Sequence, residues 1–233
     1  MQGVLLVDKP REWTSFDVVN YVRRMVAAHE GKKPKNTKVG HTGTLDPLAT
    51  GLLVLLVGKE YTRKATELTK LDKTYEVTMK LGETSSTGDE EGEKTAVSDT
   101  VPTEEAVLEA LEAFQGQIMQ VPPAFSAMKI NGQRAYKLAR EGKEVELEAR
   151  PVHIYKNSLT SYEYPYVKFT SEVGSGTYIR SLVEDLGAKL GTGAYMSDLR
   201  RTRVGQFSIE NAVAKDALNR EDLSGMLKLL AND

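Results

Sequence analysis

The feature that most constrains this chain is a glycine-rich block followed directly by an uninterrupted apolar run. The block, residues 38–51, has the sequence KVGHTGTLDPLATG, and the run after it is Leu52–Val57. An apolar run of this length predicts a buried strand. Glycines permit positive φ and close backbone approach, and Pro47 keeps Asp46 out of the helical region. We therefore expect a constrained turn that holds one carboxylate at the rim of the core.

Two interpretations of Asp46 are open. An aspartate in a glycine-rich turn commonly caps the segment that follows it. Catalytic groups are also frequent in loops that a rigid element positions, and this loop leads directly into the predicted strand. The same block contains His41, one of three histidines in the chain. We favour the catalytic interpretation.

Composition excludes several kinds of site. The chain of 233 residues has no cysteine, which excludes disulfides, thiolate zinc sites and cysteine nucleophiles. The three histidines are scattered, so we expect no histidine-built metal site. No apolar stretch approaches the length of a membrane span, and the first residues show no signal-peptide pattern. A soluble, cytoplasmic protein without a metal is expected.

Charge is segregated along the chain. Residues 83–112 hold ten acids and one base, a net charge of −9, so the remainder carries +7 although the whole chain carries −2. The basic residues form four clusters: residues 32–38, 59–73, 129–143 and 200–203. A single such cluster is commonly a solvated face, but four of them favour a polyanionic partner.

Periodicity predicts strands and helices that do not alternate strictly, which favours an α+β fold over a doubly wound sheet. The predicted strands are residues 3–8, 52–57, 74–82, 125–130, 152–162, 166–173 and 194–204. The first predicted helix begins at a cap on Thr14 or Ser15. Further helices are predicted over residues 61–71, 103–114 and 134–141 and from Ile179, and the tail after Ser208 is weakly helical. We see no internal repeat and no clear linker, so one domain over residues 1–233 is predicted.

Two stretches lack a residue that a nucleotide-binding motif requires. Gly174-Ser175-Gly176 stands at a predicted strand–turn–helix junction, but Ile179 occupies the place of the third glycine. Gly58-Lys59 is followed by Glu60 instead of serine or threonine, so it is not a P-loop. We expect no nucleotide site at either stretch.

Arg180 and two tyrosines are further candidates. Arg180 lies in the first turn of a predicted helix, where the helix dipole disfavours a cation, so a carboxylate partner would stabilise it. A surface arginine that reaches solvent is the alternative. Tyr75 and Tyr178 are either core aromatics or a stacking platform for a nucleobase.

An ordered set of motifs resembles a known family. The set comprises Asp8-Lys9-Pro10 with Thr14-Ser15, GHTGTLDPLATG, Lys73-Thr74-Tyr75, Leu81-Gly82 with Thr87, Asp89 and Gly92, PPAFSAMKINGQRAY, GTYIRSLVEDLG and LRRTRVG. In this order, over residues 3–207, the motifs are similar to those of the TruB family of tRNA pseudouridine synthases. The resemblance implies the pseudouridine synthase fold, a mixed and mostly antiparallel central sheet flanked by helices, with an RNA-clamping insertion at about residues 123–151.

The same resemblance implies a reaction and a partner. The partner is the T arm of tRNA, and uridine 55 (tRNA numbering) in its T loop becomes pseudouridine without a cofactor. The base must leave the stack, detach from C1′, rotate and reattach through C5. We expect a monomer that acts in the cytoplasm.

Residue roles are implied by motif position. Asp46 is the nucleophile or base that begins glycosidic cleavage, Arg180 is its ion-pair partner, and Tyr75 stacks on the uracil and assists the final deprotonation. The remaining roles are substrate contacts: His41 holds the flipped base, Tyr178 and Leu199 line the pocket, Lys9 and Pro10 support the loop, and Lys129, Arg134 and Arg140 contact phosphates.

The chain departs from the family pattern at three places. Glu12 stands where the family usually has glycine, so the local turn is expected to differ. Val173-Gly174 replaces the Cys-Ser pair of many bacterial members, without a chemical consequence. Little sequence follows LRRTR, so we expect no C-terminal PUA domain of the kind that many bacterial members have.

Three rival functions remain at this point. The first is a non-catalytic RNA-binding protein with the same basic surface. The second is a glycoside hydrolase, which would need a second catalytic carboxylate; Glu184 and Asp185 fall on an ordinary amphipathic helix. The third is a related synthase that modifies ribosomal RNA or acts with a guide RNA.

Overall fold

The computed structural model describes residues 1–126, 128–130, 132–141, 145, 147–218 and 222–230, without the side chains at 129, 130, 134, 136, 139 and 140. The strands are β1 (Gly3–Lys9), β2 (Val39–His41), β3 (Thr50–Val57), β4 (Lys73–Leu81), β5 (Glu83–Ser85), β6 (Lys94–Ala96), β7 (Gly116–Gln120), β8 (Lys129–Ile130), β9 (Gln133–Arg134), β10 (Arg150–Glu163), β11 (Tyr166–Val173), β12 (Ala194–Val204), β13 (Phe207–Ser208) and β14 (Val213–Ala214). The helices are α1 (Ser15–His29), α2 (Lys59–Arg63), α3 (Ala65–Thr69), α4 (Glu104–Ala113), α5 (Ala135–Arg140), α6 (Ile179–Lys189) and α7 (Leu223–Met226). Among these described helices, none has the length and apolar composition to cross a membrane.

The chain divides into two compact units. Met1–Tyr75 and Leu199–Asp233 form the first unit, and Glu76–Asp198 forms the second. Strands β4 and β12 each contribute residues to both units. The predicted single domain over residues 1–233 stays a prediction.

The sheet of the first unit is mixed. Strand β1 pairs with β3 antiparallel and with β14 parallel. Strand β3 also pairs with β2 antiparallel and with β12 parallel, where Arg200 and Arg201 lie opposite Thr50 and Gly51. Strand β12 also pairs antiparallel with β13, and the pairs of β10 with β11 and β7 are antiparallel too. The sheet is thus mixed and mostly antiparallel, so the α+β fold is confirmed.

Strands β1 and β3 are buried on both faces because apolar side chains cover the sheet on either side. One face of these strands carries Leu5, Val7, Leu53, Leu55 and Val57, which pack with α1. Their alternate residues Val4, Leu6, Leu52, Val54 and Leu56 pack with Leu68, Val204 and Phe207. The prediction of a buried strand at Leu52–Val57 is therefore confirmed, and the structure shows that both of its faces are covered.

Helix α1 begins at Thr14, which forms a capping box with Asp17. The Thr14 Oγ1 accepts from the Asp17 N–H at 3.0 Å, and the Asp17 carboxylate accepts from the Thr14 N–H at 2.9 Å. Sequence left Thr14 and Ser15 as alternative caps. The structure selects Thr14, and this leaves the Ser15 hydroxyl available for another contact.

The sheet of the second unit has the order β12-β4-β11-β10-β7. Strand β10 pairs antiparallel with β11 and with β7. The predicted alternation of β4 is confirmed, since Val77, Met79 and Leu81 are buried. Helix α4 packs against β10, where the buried Asn157 side chain donates to the Leu111 carbonyl at 3.0 Å.

Three predicted elements differ from the structure. The helix expected at residues 61–71 is split into α2 and α3 at Lys64, where only Leu68 is buried and little apolar area holds one continuous helix. Of the strand expected at 125–130, the described residues form β8, residue 127 lies outside the described part, and the Phe125 carbonyl accepts from Arg180. The weakly helical tail has 3-10 helices at Ile209–Asn211 and Lys215–Ala217 and the helix α7, but it also contains the strand β14, which pairs parallel with β1 and was not predicted.

Candidate active site

The Asp46 loop, residues 42–49, is clamped to the first unit by buried groups. The Ser15 hydroxyl, freed from capping, accepts from the Leu45 N–H at 2.8 Å and donates to the Leu45 carbonyl at 2.9 Å. Thr42, Leu45 and Ala49 are at most 3% exposed, whereas the Asp46 side chain is half-buried. The loop therefore presents its carboxylate at partial exposure on a rigid support.

Lys9, the last residue of β1, connects this strand to the Asp46 loop through hydrogen bonds of its side chain. Its side chain is fully buried, and its ammonium donates to the carbonyls of Pro10 at 2.9 Å, Trp13 at 2.5 Å and Pro47 at 3.1 Å. Burial lowers the pKa of the Lys9 Nζ to about 8, and the nearby Asp46 carboxylate acts in the opposite direction. The supporting role that the family resemblance implies for Lys9 agrees with these contacts.

The Lys9→Met variant is expected to change how stability depends on pH. Because the pKa is about 8 in the folded state and 10.5 for an ordinary lysine, the unfolded chain binds this proton more tightly between those values. Raising the pH through this window therefore favours the folded state of the wild type. The wild type should gain about 1–2 kcal/mol relative to Lys9→Met between about pH 8 and 10. Urea unfolding at several pH values measures this, and a difference that does not depend on pH would contradict the assignment.

Glu12 closes the turn opposite Pro47. Its N–H donates to the Pro47 carbonyl at 2.9 Å, and its φ of 68° is in the left-handed region. Glycine adopts this conformation readily, but a residue with a Cβ is strained there. The turn that was expected to differ thus has a glycine-like backbone despite the glutamate.

The Glu12→Gly variant should be more stable than the wild type by about 0.5–1 kcal/mol. It relieves left-handed strain of about 1–2 kcal/mol, and the greater freedom of glycine in the unfolded chain offsets part of this gain. Equilibrium urea unfolding measures the change. The Glu12→Ala variant is the control, because it removes the carboxylate but retains the strain. Equal gains from both variants would show that the charge, and not the backbone, is responsible.

Arg201 is a structural residue that sequence assigned to a different role. It is 2% exposed, its Nε donates to the Leu52 carbonyl at 2.8 Å, and its Nη2 donates to the Gly43 carbonyl at 3.0 Å. Lys73 is also buried, and it donates to the carbonyls of Thr69 and Leu71. Their placement in basic clusters for a polyanion was therefore wrong. Both cations instead satisfy backbone carbonyls beside the Asp46 loop and at the start of β4.

His41, at the end of β2, is held as a neutral imidazole. Its Nδ1 accepts from the Gly43 N–H at 3.2 Å, so the ring proton is on Nε2. Burial lowers the pKa of His41, and the positive charge of Arg201 lowers it further. The imidazole therefore offers an N–H donor at neutral pH.

Tyr75 and Leu199 complete the predicted residues of the first unit. Each is 8% exposed, Tyr75 in β4 and Leu199 in β12. The backbone next to Tyr75 is tied to β12, since the Thr202 hydroxyl donates to the Thr74 carbonyl at 3.3 Å. The roles of Tyr75 in stacking and of Leu199 in lining the pocket stay predictions.

In the second unit, Arg180 is buried and contacts Thr87, Phe125 and Asp89. Its guanidinium donates to the carbonyls of Thr87 at 3.1 Å and Phe125 at 2.8 Å, and it lies 3.6 Å from the carboxylate of Asp89. Asp89 is fixed in turn by the Thr87 hydroxyl at 2.5 Å and the Glu91 N–H at 3.1 Å. The expectation of a carboxylate partner is met by Asp89, which sequence did not assign. The pair of Arg180 with Asp46 stays a prediction.

Tyr178 is the residue before α6, and the Gln120 side chain forms hydrogen bonds with both of its backbone polar groups. The Gln120 side chain accepts from the Tyr178 N–H at 2.8 Å and donates to the Tyr178 carbonyl at 3.1 Å. The guanidinium of Arg150 lies over the tyrosine ring, 5.3 Å from its centre. Sequence missed Gln120 and Arg150, because each is far from Tyr178 along the chain and belongs to no motif quoted above.

The predicted phosphate contacts fall in the least described part of the chain. Lys129 is in β8, Arg134 is in β9 and Arg140 ends α5, but their side chains lie outside the described part. Their roles and the RNA-clamping insertion at about 123–151 stay predictions. Among the described residues, no group of three His, Asp or Glu side chains could hold a metal ion. The metal-free, cofactor-free reaction stays a prediction as well.

Comparison with known proteins gives one family over most of the chain. Residues 31–179 match the N-terminal domain of the TruB family pseudouridylate synthases, and residues 180–228 match the C-terminal domain of tRNA pseudouridylate synthase B. The tRNA pseudouridine synthase B of Clostridium acetobutylicum is 43% identical over 224 residues, 96% of this chain and 74% of that protein. The corresponding protein of Chlamydia felis is 42% identical over 221 residues, 95% of this chain and 90% of that protein.

A solved structure agrees with this result. The crystal structure of a Cbf5-Nop10-Gar1 complex contains a chain that is 31% identical, with a TM-score of 0.70 over 92% of the present chain. The match covers 52% of that chain, so this protein spans about half its length. The family models, the sequence identities and the fold agree: this chain belongs to the TruB family of tRNA pseudouridine synthases, which isomerise uridine to pseudouridine in tRNA.

Proposed function

We propose that this chain acts on uridine 55 in the T loop of tRNA and that Asp46 begins the reaction. The observation that supports this most strongly is the Asp46 loop. Ser15, Lys9 and Arg201 hold its backbone from buried positions, while the carboxylate remains half-buried. A carboxylate on a rigid support loses little freedom when it meets a substrate atom, which favours its use as a nucleophile or base.

The reaction proposed for this site is a rearrangement within one nucleotide. The uridine leaves its stack, and the bond between C1′ and N1 breaks with Asp46 as nucleophile or base. The freed uracil rotates, C5 bonds to C1′, N1 takes up a proton, and the hydrogen on C5 leaves as a proton. No atom is lost from the RNA except this exchanged hydrogen.

Other side chains receive the roles that their motif positions imply. The neutral imidazole of His41 has an N–H on Nε2 that suits a uracil carbonyl. Tyr75 stacks on the base and assists removal of the C5 proton, and Tyr178 and Leu199 line the pocket. Arg180 pairs with Asp46, a contact that would orient the carboxylate. Lys129, Arg134 and Arg140 contact phosphates of the T arm.

The proposal also covers the oligomeric state, the cellular location and the partners of the chain. The chain acts as a monomer in the cytoplasm and needs no second macromolecule besides its tRNA. The similarity to a Cbf5 chain in a complex with Nop10 and Gar1 supplies the competing possibility that other subunits are required.

The test is to incubate the purified chain alone with an unmodified tRNA transcript. Pseudouridine is then mapped with a carbodiimide adduct that stops reverse transcription. A single stop at position 55, absent from a transcript with cytidine at that position, is the expected result. Modification at another uridine would overturn the T-loop assignment, and modification only after other RNA or protein is added would overturn the independent action.

A further inference from the structure

A basic pocket lies on the surface of the first unit, and none of the candidate catalytic residues lines it. It has a volume of about 350 Å³, and four of its eight lining residues are the cations Arg23, Arg24, Lys35 and Lys38. No acidic residue lines it. Pockets of this volume are at the lower end of those that bind ligands.

The pocket is formed by two segments that sequence did not connect. Asn20, Arg23 and Arg24 follow the spacing i, i+3, i+4 on α1, so they share one face of the helix. Lys35 and Lys38 come from the lysine-rich segment after α1, which turns at Pro34–Asn36 and then enters β2. The fold thus concentrates positive charge beyond what the lysine run alone provides.

The charges in this pocket are not balanced by acids. Arg24, Lys35 and Lys38 form no ion pair with any described carboxylate within 4.0 Å. The nearest acids in sequence are engaged elsewhere: Asp17 caps α1, and Glu30 pairs with the N-terminus and Lys32. Cations that are close together and unpaired repel one another, so a bound anion would stabilise this arrangement.

Arg23 is oriented at the pocket by its neighbours. Its Nη1 donates to the Asn20 side chain at 2.7 Å, and its Nη2 donates to the Val39 carbonyl at 3.1 Å. The guanidinium also lies 5.8 Å from the centre of the Phe16 ring. Two of its five N–H donors are used in these bonds, which leaves donors in a fixed geometry that matches phosphate oxygens.

The position of the pocket relates it to the predicted substrate. Val39, which lines the pocket, begins β2, and His41 ends the same strand, about 7 Å further along. We propose that the pocket binds a backbone phosphate of the same tRNA whose uridine is held at His41 and Asp46. This inference rests on the proposed function, because it assigns the pocket to that substrate.

The test compares two charge-matched double variants. Lys35→Gln with Lys38→Gln removes two charges from the pocket, and Lys168→Gln with Lys189→Gln removes two exposed lysines from the second unit. The probe is an unmodified tRNA transcript, and the dissociation constant is measured between 50 and 200 mM salt. A third variant, Lys35→Arg with Lys38→Arg, retains the charge. Thermal unfolding confirms that all three variants are folded.

The pocket variant should bind tRNA about tenfold more weakly than the wild type, and the slope of log affinity against log salt should fall in magnitude by about 2. The control and the arginine variant should remain within about twofold of the wild type. In steady state, KM for tRNA should rise while kcat is unchanged, since the lost contact is equal in ground and transition states.

Equal affinities of the pocket variant and the control would overturn the inference, whatever the activity. Failure of the proposed function gives a different result, because the wild type would then form no pseudouridine in any tRNA. The tRNA affinities of the pocket variant and the control would still show whether the pocket lysines bind tRNA. A fall in kcat without a change in affinity would also contradict a phosphate contact.

Discussion

Replacing Asp46 with asparagine should lower the single-turnover rate of pseudouridine formation by about 10⁴-fold or more, while tRNA affinity stays within about twofold. Asparagine has nearly the same shape as aspartate, so the backbone anchors at Leu45 and Pro47 remain in place. It cannot act as a nucleophile or base. The loss should therefore appear in the chemical step and not in binding.

Two further variants make this result specific. Asp99→Asn removes a carboxylate from the acidic segment of the second unit and should have wild-type activity. Asp46→Glu retains the charge but moves the carboxylate by one methylene on a loop that is held at several points, so a large loss is expected there too. An Asp46→Asn enzyme with more than about a tenth of the wild-type rate would exclude Asp46 as the initiating group.

Replacing Gly51 with alanine should lower the free energy of unfolding by about 4 kcal/mol or more. Gly51 has a φ of 100°, and a Cβ there would lie 2.3 Å from the Arg201 carbonyl oxygen and 2.8 Å from the Arg201 nitrogen. Both atoms belong to backbone, so no side-chain rotation relieves the overlap. Strands β3 and β12 would have to separate at the point where the Asp46 loop joins the sheet.

Gly31→Ala is the matched control for this prediction. Gly31 also has a positive φ, 63°, but a Cβ there would meet no atom within 4 Å. Its variant carries only the strain of the left-handed conformation and should lose about 1 kcal/mol. Urea unfolding measures both changes. Similar losses for the two variants would show that the close approach of β3 and β12 is not tight.

The sequence predicts the elements whose signals are local. The run Leu52–Val57 is apolar at every position, and this pattern predicts a buried strand, which the two cores cover on both faces. The alternation of β4 and the helical spacing in α1 are equally direct, because neighbouring residues determine which face is buried. The candidate residues Asp46, His41 and Lys9 were found through motifs, and the structure connects all three through one loop.

Long-range contacts decide what sequence could not predict. Arg201 stands in a run of arginines that resembles a solvated basic cluster, and only the approach of β12 to β3 shows that it is buried against Gly43 and Leu52. The partner of Arg180 within the second unit, Asp89, is 91 positions away in a segment that looks like a polar turn. The Phe125 carbonyl, in the strand expected at 125–130, also accepts from Arg180.

The most direct test of the central claim is tritium release from a T-arm stem-loop labelled at C5 of the single uridine that corresponds to position 55. In pseudouridine C5 is bonded to C1′, so the label must pass to water when the isomer forms. The wild-type chain should release one tritium per stem-loop, and none when the label is at another uridine. No release from the position-55 label, in a stem-loop that the chain binds, would show that this chain does not isomerise uridine 55.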